Sequence, residues 1–384
     1  MLKATRWLVL SVALLAGCGL LPPSADPTRP ATAPAAPSEP AKPGVPAGPT
    51  SAAPSGAPSA ASPAAAPSPS PSPSPSPSPI PRTTVRIGTS SSLGGWVLDV
   101  AEQQGFLASQ GINLDRKEAD PGSPVVAEDV DKRERDVGVV TTDRLIQLGK
   151  NGQGLMLVAG LVNKATHTLI AARDVPDFGA LKGKPVGHLD AKSASAAILK
   201  RILKAKGIPE SDTSLLTFPD PGVVGAAVAN GTVGASLVDP PRAGRLRISG
   251  FTALIEASEV AKDFQAEGLV VRPEWARQNE DLLTRLIRAT ILAERWITTP
   301  ENKPAAVEQL ARSLGVTATE AALVYEQYVD KLGAIPREGD IDQVGVRGVL
   351  ELLAEIDAAG NPRPDPARLT DTTYLQRAKA SLPR

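Results

Sequence analysis

Cysteine, histidine and aromatic residues are all scarce in this chain: its 384 residues include one Cys, two His and only 3% Phe, Tyr and Trp. The single cysteine, Cys18, rules out an intramolecular disulfide and any multi-cysteine metal site. The two histidines, His167 and His188, lack the spacing of a metal-ligating pair, so no metal is expected. Few aromatics disfavour a large ligand held by stacking. Nor is charge of one sign in excess: Lys and Arg number 41 and Asp and Glu 41, which leaves no basic footprint for nucleic acid. There is no Gly-x-Ser-x-Gly nucleophile elbow and no phosphate-cradling glycine loop, and these absences argue against an enzyme and against a cofactor.

What is present begins with two tracts of unlike character. Lys3 and Arg6 precede the apolar run Leu8 to Leu15, which closes on Ala16-Gly17-Cys18. That layout is a secretory signal peptide, over residues 1–17, and its run is shorter than the about 20 residues a spanning helix needs. Leu15-Ala16-Gly17-Cys18 also resembles the bacterial lipobox, in which the cysteine thiol takes the lipid. The mature protein is therefore expected to start at a lipidated Cys18, held on the membrane outside the cytoplasm. Through residues 18–82 the composition narrows to Pro, Ala, Ser and Gly, with strict Ser-Pro alternation from Pro67 to Pro79. Such a tract cannot build a core. Where it is polyproline II it extends by about 3.1 Å per residue, a reach on the order of 100 Å or more, and it reads as a semi-rigid tether.

The first folded stretch carries the first candidate site. Thr84-Val85-Arg86-Ile87-Gly88 has the β-branched content of a strand, and after Gly95 the residues Val97, Val100, Ala101 and Ala108 recur at helical spacing. Between them, Thr89 to Trp96 (Thr-Ser-Ser-Ser-Leu-Gly-Gly-Trp) puts hydroxyls, open N–H groups and little bulk at the positive end of a helix. That suits a small polar or anionic ligand. An ordinary turn with a serine N-cap is the plainer alternative.

The pattern then repeats. Asp136 to Val140 is a strand ending on Thr141-Thr142-Asp143, and Gly154 to Val162 is another, which leads out through Asn163 to Thr168. Leu181 to Gly187 turns into a strand, His188 to Ser195 leads into a helix stopped by Gly207, and Val233 to Val238 ends on Asp239-Pro240-Pro241. Gly268 to Arg272 is one more strand, and from Pro273 to Ala359 the periodicity is helical. Alternating strands and helices imply an α/β fold with parallel strands, whose ligands gather beyond the strands' carboxyl ends.

Taken in order, Gln104-Gly105-Phe106-Leu107 with Gly111-Ile112-Asn113-Leu114, Leu181 to Gly187, Asn230-Gly231-Thr232-Val233-Gly234-Ala235 and Asp239-Pro240-Pro241 carry a resemblance. The chain from Thr84 to Gly360 resembles the nitrate/sulfonate/taurine and thiamine-precursor group of solute-binding proteins of ABC transporters. Gly234 stands where that group often carries an acidic residue. The resemblance implies a type II periplasmic-binding-protein-like fold of two lobes, with two chain crossings between them near 163–172 and 265–272 and C-terminal helices on lobe 1. The expected parts are lobe 1 over 83–168, lobe 2 over 169–267 and a return to lobe 1 over 268–384. A small-molecule solute would be held in the cleft of a monomer and passed to an ABC permease. A sensor lipoprotein would have the same fold. Thiamine-precursor enzymes of this superfamily use a cysteine-rich segment, and no cysteine follows Cys18.

Position at the strand ends selects the candidate cleft residues. In lobe 1 they are Ser90, Ser91, Ser92, Gly95 and Trp96 at the first helix start, and Thr141, Thr142 and Asp143 at the second. Asn163 and His167 lie near the hinge. In lobe 2 they are His188, Asp190, Ser193 and Ser195, followed by Asp239 and Arg242. Arg144 is read as a solvated helix arginine, with an anion clamp as the alternative.

Overall fold

Strand β1 (Thr83–Thr89) buries Val85 and Ile87 on one face, and the chain turns into α1 (Leu93–Gln103) at Ser92, whose side chain caps the helix by accepting from the Gly95 amide. The computed structural model describes residues 82–119, 123–149, 154–218, 220–360 and 363–382. The expected signal peptide, Cys18 and all but the last residue of the tether lie outside the described residues. After α1 come α2 (Phe106–Ser109), β2 (Ile112–Glu118), α3 (Ser123–Asp131), β3 (Val137–Thr141), α4 (Thr142–Gly149) and β4 (Met156–Val162). A second run holds β5 (Thr168–Ala171), β6 (Val186–His188), α5 (Ala194–Ala205), β7 (Leu215–Thr217), α6 (Pro221–Ala229), β8 (Ala235–Val238), α7 (Pro240–Ile248) and β9 (Thr252–Glu256). The chain ends with β10 (Glu267–Val271), α8 (Pro273–Gln278), α9 (Glu280–Ile297), α10 (Lys303–Leu314), α11 (Ala318–Tyr325), α12 (Gln343–Glu355) and α13 (Thr373–Ala380).

Among the described residues the strands form two sheets, ordered β2-β1-β3-β10-β4 and β7-β6-β8-β5-β9. Each sheet is the centre of one lobe. The chain passes from the first to the second between β4 and β5, and returns between β9 and β10. The expectation of parallel strands holds for β1 with β2 and β3, and for β6 with β7 and β8. It fails for the two strands that receive a crossing. β10 runs antiparallel to β3 and β4, and β5 antiparallel to β8 and β9. A chain arriving from the other lobe enters its new sheet at the crevice edge and must run away from it, against the strands that lead toward the crevice. β5 has only four residues, too few to show a strand pattern, so the sequence treats it as part of the connection.

Lobe 1 is built on Val85, Ile87, Trp96, Val97, Val158, Leu269 and Leu286, and lobe 2 on Leu169, Val186, Ile198, Ile202 and Leu237. Helices α9, α10 and α13 pack on lobe 1, as expected of the C-terminal part, while α11 also packs on α7 and α12 lies against both α4 and α5. A Cβ at Gly234 would stand 2.8 Å from Cβ of Lys184 and 3.0 Å from Leu181, so the turn over residues 181–184 requires glycine there.

Candidate functional site

The carboxyl ends of β1 and β3 in lobe 1 and of β6 and β8 in lobe 2 deliver the helix starts at the crevice, and β4 leads into the first crossing. At the start of α1 the Ser92 hydroxyl donates to Glu267 Oε2 at 2.8 Å, and the Gly94 amide donates to the same oxygen at 3.1 Å. Glu267 opens β10 and pairs with Thr141 at the end of β3. A carboxylate of the chain's own thus sits where the first helix offers its amides. Gly94 makes room for it: a Cβ there would come within 2.4 Å of Glu267 Oε2. Burial raises the Glu267 carboxyl above the usual carboxylate range, while the bonds from Ser92 and Gly94 pull it back only in part.

The second helix start is wired across the crevice. Asp143 Oδ1 accepts from the Thr141 hydroxyl and from the Arg144 amide at 2.9 Å, while Oδ2 accepts from the Ala194 amide at 3.0 Å, which is the first amide of α5 in the other lobe. Arg144 forms an ion pair with Asp190 of lobe 2, and Gln147 Nε2 donates to the Lys192 carbonyl at 2.6 Å. Arg144 is therefore an interlobe residue rather than a solvated helix arginine. Burial pushes the Asp190 carboxyl up, but the Lys192 amide and Arg144 together hold it below the ordinary aspartate value. The Thr142 amide donates to the Ala266 carbonyl on the second crossing at 2.9 Å. The Thr142 hydroxyl is buried and without a partner.

In lobe 2, Ser193 caps α5 through the Ala196 amide at 3.2 Å and lies 2.8 Å from the Ser195 hydroxyl. Asp239 caps α7 through the Arg242 amide at 3.1 Å and also forms an ion pair with Arg242. His188 closes β6, its Nε2 3.4 Å from the Thr217 hydroxyl and its buried Nδ1 unpartnered. Burial lowers the pKa of both histidines. Asp239 and Asp143 oppose this at His167, and Asp190 opposes it at His188.

Three of the sequence candidates are placed differently. Trp96 does not face the crevice: it is fully buried in the lobe 1 core, edge-on to Tyr325 at 6.2 Å between centroids, because its helix face packs on the sheet. Gly95 is buried and gives its amide to the Ser92 cap. Asn163 donates from Nδ2 to the Asp340 carbonyl at 2.7 Å and so holds the 334–340 segment on the hinge, while its Oδ1 is buried without a partner among the described residues. Ser90 and Ser91 make no side-chain hydrogen bond among the described residues, and Ser91 is exposed. The sequence reading missed Glu267, which it assigned to the end of lobe 2. No local pattern marks it, since its partner Ser92 is 175 residues away. Among the described residues no group of three or more His, Cys, Asp or Glu is arranged to hold a metal ion. No helix of the described residues is long and apolar enough to cross a membrane.

Residues 97–302 match the model of the NMT1/THI5 like family. The chain belongs to this family. Within the fold that the NMT1/THI5-like chain adopts, the periplasmic aliphatic sulphonate binding protein SsuA from Escherichia coli is 17% identical, with a TM-score of 0.61 over 74% of this chain and 91% of that one. The periplasmic nitrate-binding protein NrtA from Synechocystis PCC 6803 is 16% identical, with a TM-score of 0.61 over 78% of this chain and 89% of that one. The desulfurization enzyme DSZB is 17% identical, with a TM-score of 0.58 over 78% of this chain and 99% of that one. At these identities the likeness establishes the fold, a two-lobed periplasmic-binding-protein-like architecture. Comparison with curated protein sequences gives no match.

Proposed function

We propose that this chain is the solute-binding component of an ABC importer: a monomer outside the cytoplasm, anchored by a lipid on Cys18, that captures a small polar or anionic solute between its lobes and presents the closed form to a permease. The observation that carries this reading is the pair of mixed sheets linked by two strand-to-strand crossings, with polar helix starts of both lobes meeting at the crevice. Closure about such a hinge buries a solute and changes the surface offered to a partner without any chemistry on the solute. The tether over 18–82 gives the lobes reach from the membrane. The fold neighbours named for sulphonate and nitrate binding support the same reading. An enzyme is less well supported, because no cysteine follows Cys18 to serve as a thiol nucleophile.

The test is a thermal-shift screen of the purified chain against sulfonates, nitrate, bicarbonate, amino acids, pyrimidines and vitamins. A true solute at 100 times its dissociation constant stabilises by about 2.7 kcal/mol. Thr142→Val should weaken that solute without lowering the melting temperature of the free protein. Absence of any stabilising solute, or a solute bound away from the crevice, overturns the proposal. Release of Cys18→Ala protein into the soluble fraction is expected; retention after a high-salt wash rules out the lipid anchor.

A further inference from the structure

Each helix that starts at the crevice already has an anion. Glu267 takes the Gly94 amide and the Ser92 hydroxyl at α1. Asp143 takes the Arg144 amide at α4 and, across the lobes, the Ala194 amide at α5. Asp239 takes the Arg242 amide at α7. The two arginines of the crevice are spent in the same way, Arg144 on Asp190 and Arg242 on Asp239. Four carboxylates therefore face two guanidinium groups. Of the nearby lysines, Lys164 lies on the first crossing and Lys192 is exposed on the 190–193 turn. Helix amides and free guanidinium groups are what a bound anion needs, and here both guanidinium groups and the Gly94, Arg144, Ala194 and Arg242 amides are occupied from within the chain.

Buried groups without a partner at the strand ends are of another kind. The Thr142 hydroxyl and His188 Nδ1 are each more than nine-tenths buried, carry no partner, and stand at the carboxyl ends of β3 and β6, the edges that line the crevice. Glu267 Oε1 accepts from no described residue, while its Oε2 accepts two bonds. A buried hydroxyl, an unpartnered imidazole nitrogen and a carboxylate oxygen are partners for a solute that brings hydrogen-bond donors. We infer that Glu267 acts as a built-in anion at the start of α1, so that the crevice rejects anionic solutes and selects one without negative charge that donates N–H or O–H groups. The inference rests on the solute-binding reading and narrows it, against the anionic ligand suggested by the serine-rich helix start.

The experiment uses the full chain with potassium nitrate and sodium ethanesulfonate as probes and sodium chloride as the ionic-strength control. Wild type and Glu267→Ala are compared by thermal shift and calorimetric titration, with circular dichroism as the folding check. Glu267→Ser replaces Glu267→Ala if the latter does not fold. Neither anion should stabilise the wild type. At least one should bind the variant, more tightly than wild type by about tenfold or more, because the Gly94 amide and the Ser92 hydroxyl freed at α1 can now donate to a charged ligand. Binding of either anion to wild type overturns the inference, and so does a folded variant that gains no anion binding. If wild type binds an anion and Thr142→Val abolishes it, anion exclusion fails while the interlobe solute reading stands. If the variant gains anion binding but no uncharged or cationic solute binds wild type in the crevice, exclusion stands and the solute reading falls.

Discussion

Two helices of lobe 1 begin at the crevice, and their first turns are used in opposite ways. The start of α1 is completed inside its own lobe by Glu267, so separating the lobes leaves its bonds intact. The start of α4 is completed by lobe 2: the Asp143 bond to Ala194, the Arg144 pair with Asp190 and the Gln147 bond to Lys192 all exist only while the lobes touch. α12 covers this second flank, and Ile146, Ala194, Val346 and Val349 share one apolar cluster there. The difference assigns the two flanks separate work. On the proposed solute-binding reading, the α4 flank would carry the equilibrium between open and closed lobes, and the α1 flank would set the character of what can enter.

The largest expected effect that tests this division is Asp143→Ala, which removes the acceptor for three donors in two lobes. A hydrogen bond to a charged group contributes about 1.5–3 kcal/mol. Loss of even one such interlobe bond should shift the ligand-free protein toward the open form, seen as a larger radius of gyration in solution scattering. An unchanged radius would show that the α4 flank does not hold the lobes. Next is Gly94→Ala, whose added Cβ would lie 2.4 Å from Glu267 Oε2 and 2.9 Å from Val139. Overpacking of this kind costs about 1–3 kcal/mol. It should lower the melting temperature and leave the radius of gyration alone; a variant that opens the lobes would erase the distinction between flanks.

Acid should act on the two flanks with opposite sign. The folded Glu267 carboxyl lies above the ordinary glutamate value of about 4.3, so in that window the folded chain holds a proton that the unfolded chain has released. Lowering the pH from neutral through the window stabilises the fold through this residue, and Glu267→Gln should remove that gain from the melting-temperature profile. The Asp190 carboxyl is held below the ordinary aspartate value of about 3.9, so its contribution is complete above that pH and is lost only as the pH falls further, through its folded value. Asp190→Asn should flatten that acid limb. The smallest effect is expected of Arg144→Ala. Its pair with Asp190 keeps 23% and 34% of the two side chains exposed, which places it among ion pairs that contribute at most about 1 kcal/mol. The opening it causes should shrink as salt is added to the wild type.

Much of the folded part is readable from local pattern. The strands at 83–89, 137–141 and 156–162 and the helix starts at Ser92, Ser193 and Asp239 follow from β-branched runs and capping residues, each a matter of neighbours within four positions. Trp96 shows the limit of such reading. Its position beside the serines suggested a cleft residue, but which face of α1 meets the sheet places it in the core beside Tyr325.

The sequence by itself therefore determined the run of βα units, the polar character of their junctions and the family to which their order belongs, because propensity, capping and periodicity act over a few residues. Only the tertiary structure decided which charges those junctions keep. Glu267 reaches Ser92 across 175 positions, and Asp143 reaches Ala194 across 51 and between lobes. The antiparallel entry of β10 sets Glu267 beside Thr141 and against the start of α1. A helix start that looks unoccupied along the chain already holds a carboxylate in space, because Glu267 from a distant strand takes the Gly94 amide and the Ser92 hydroxyl.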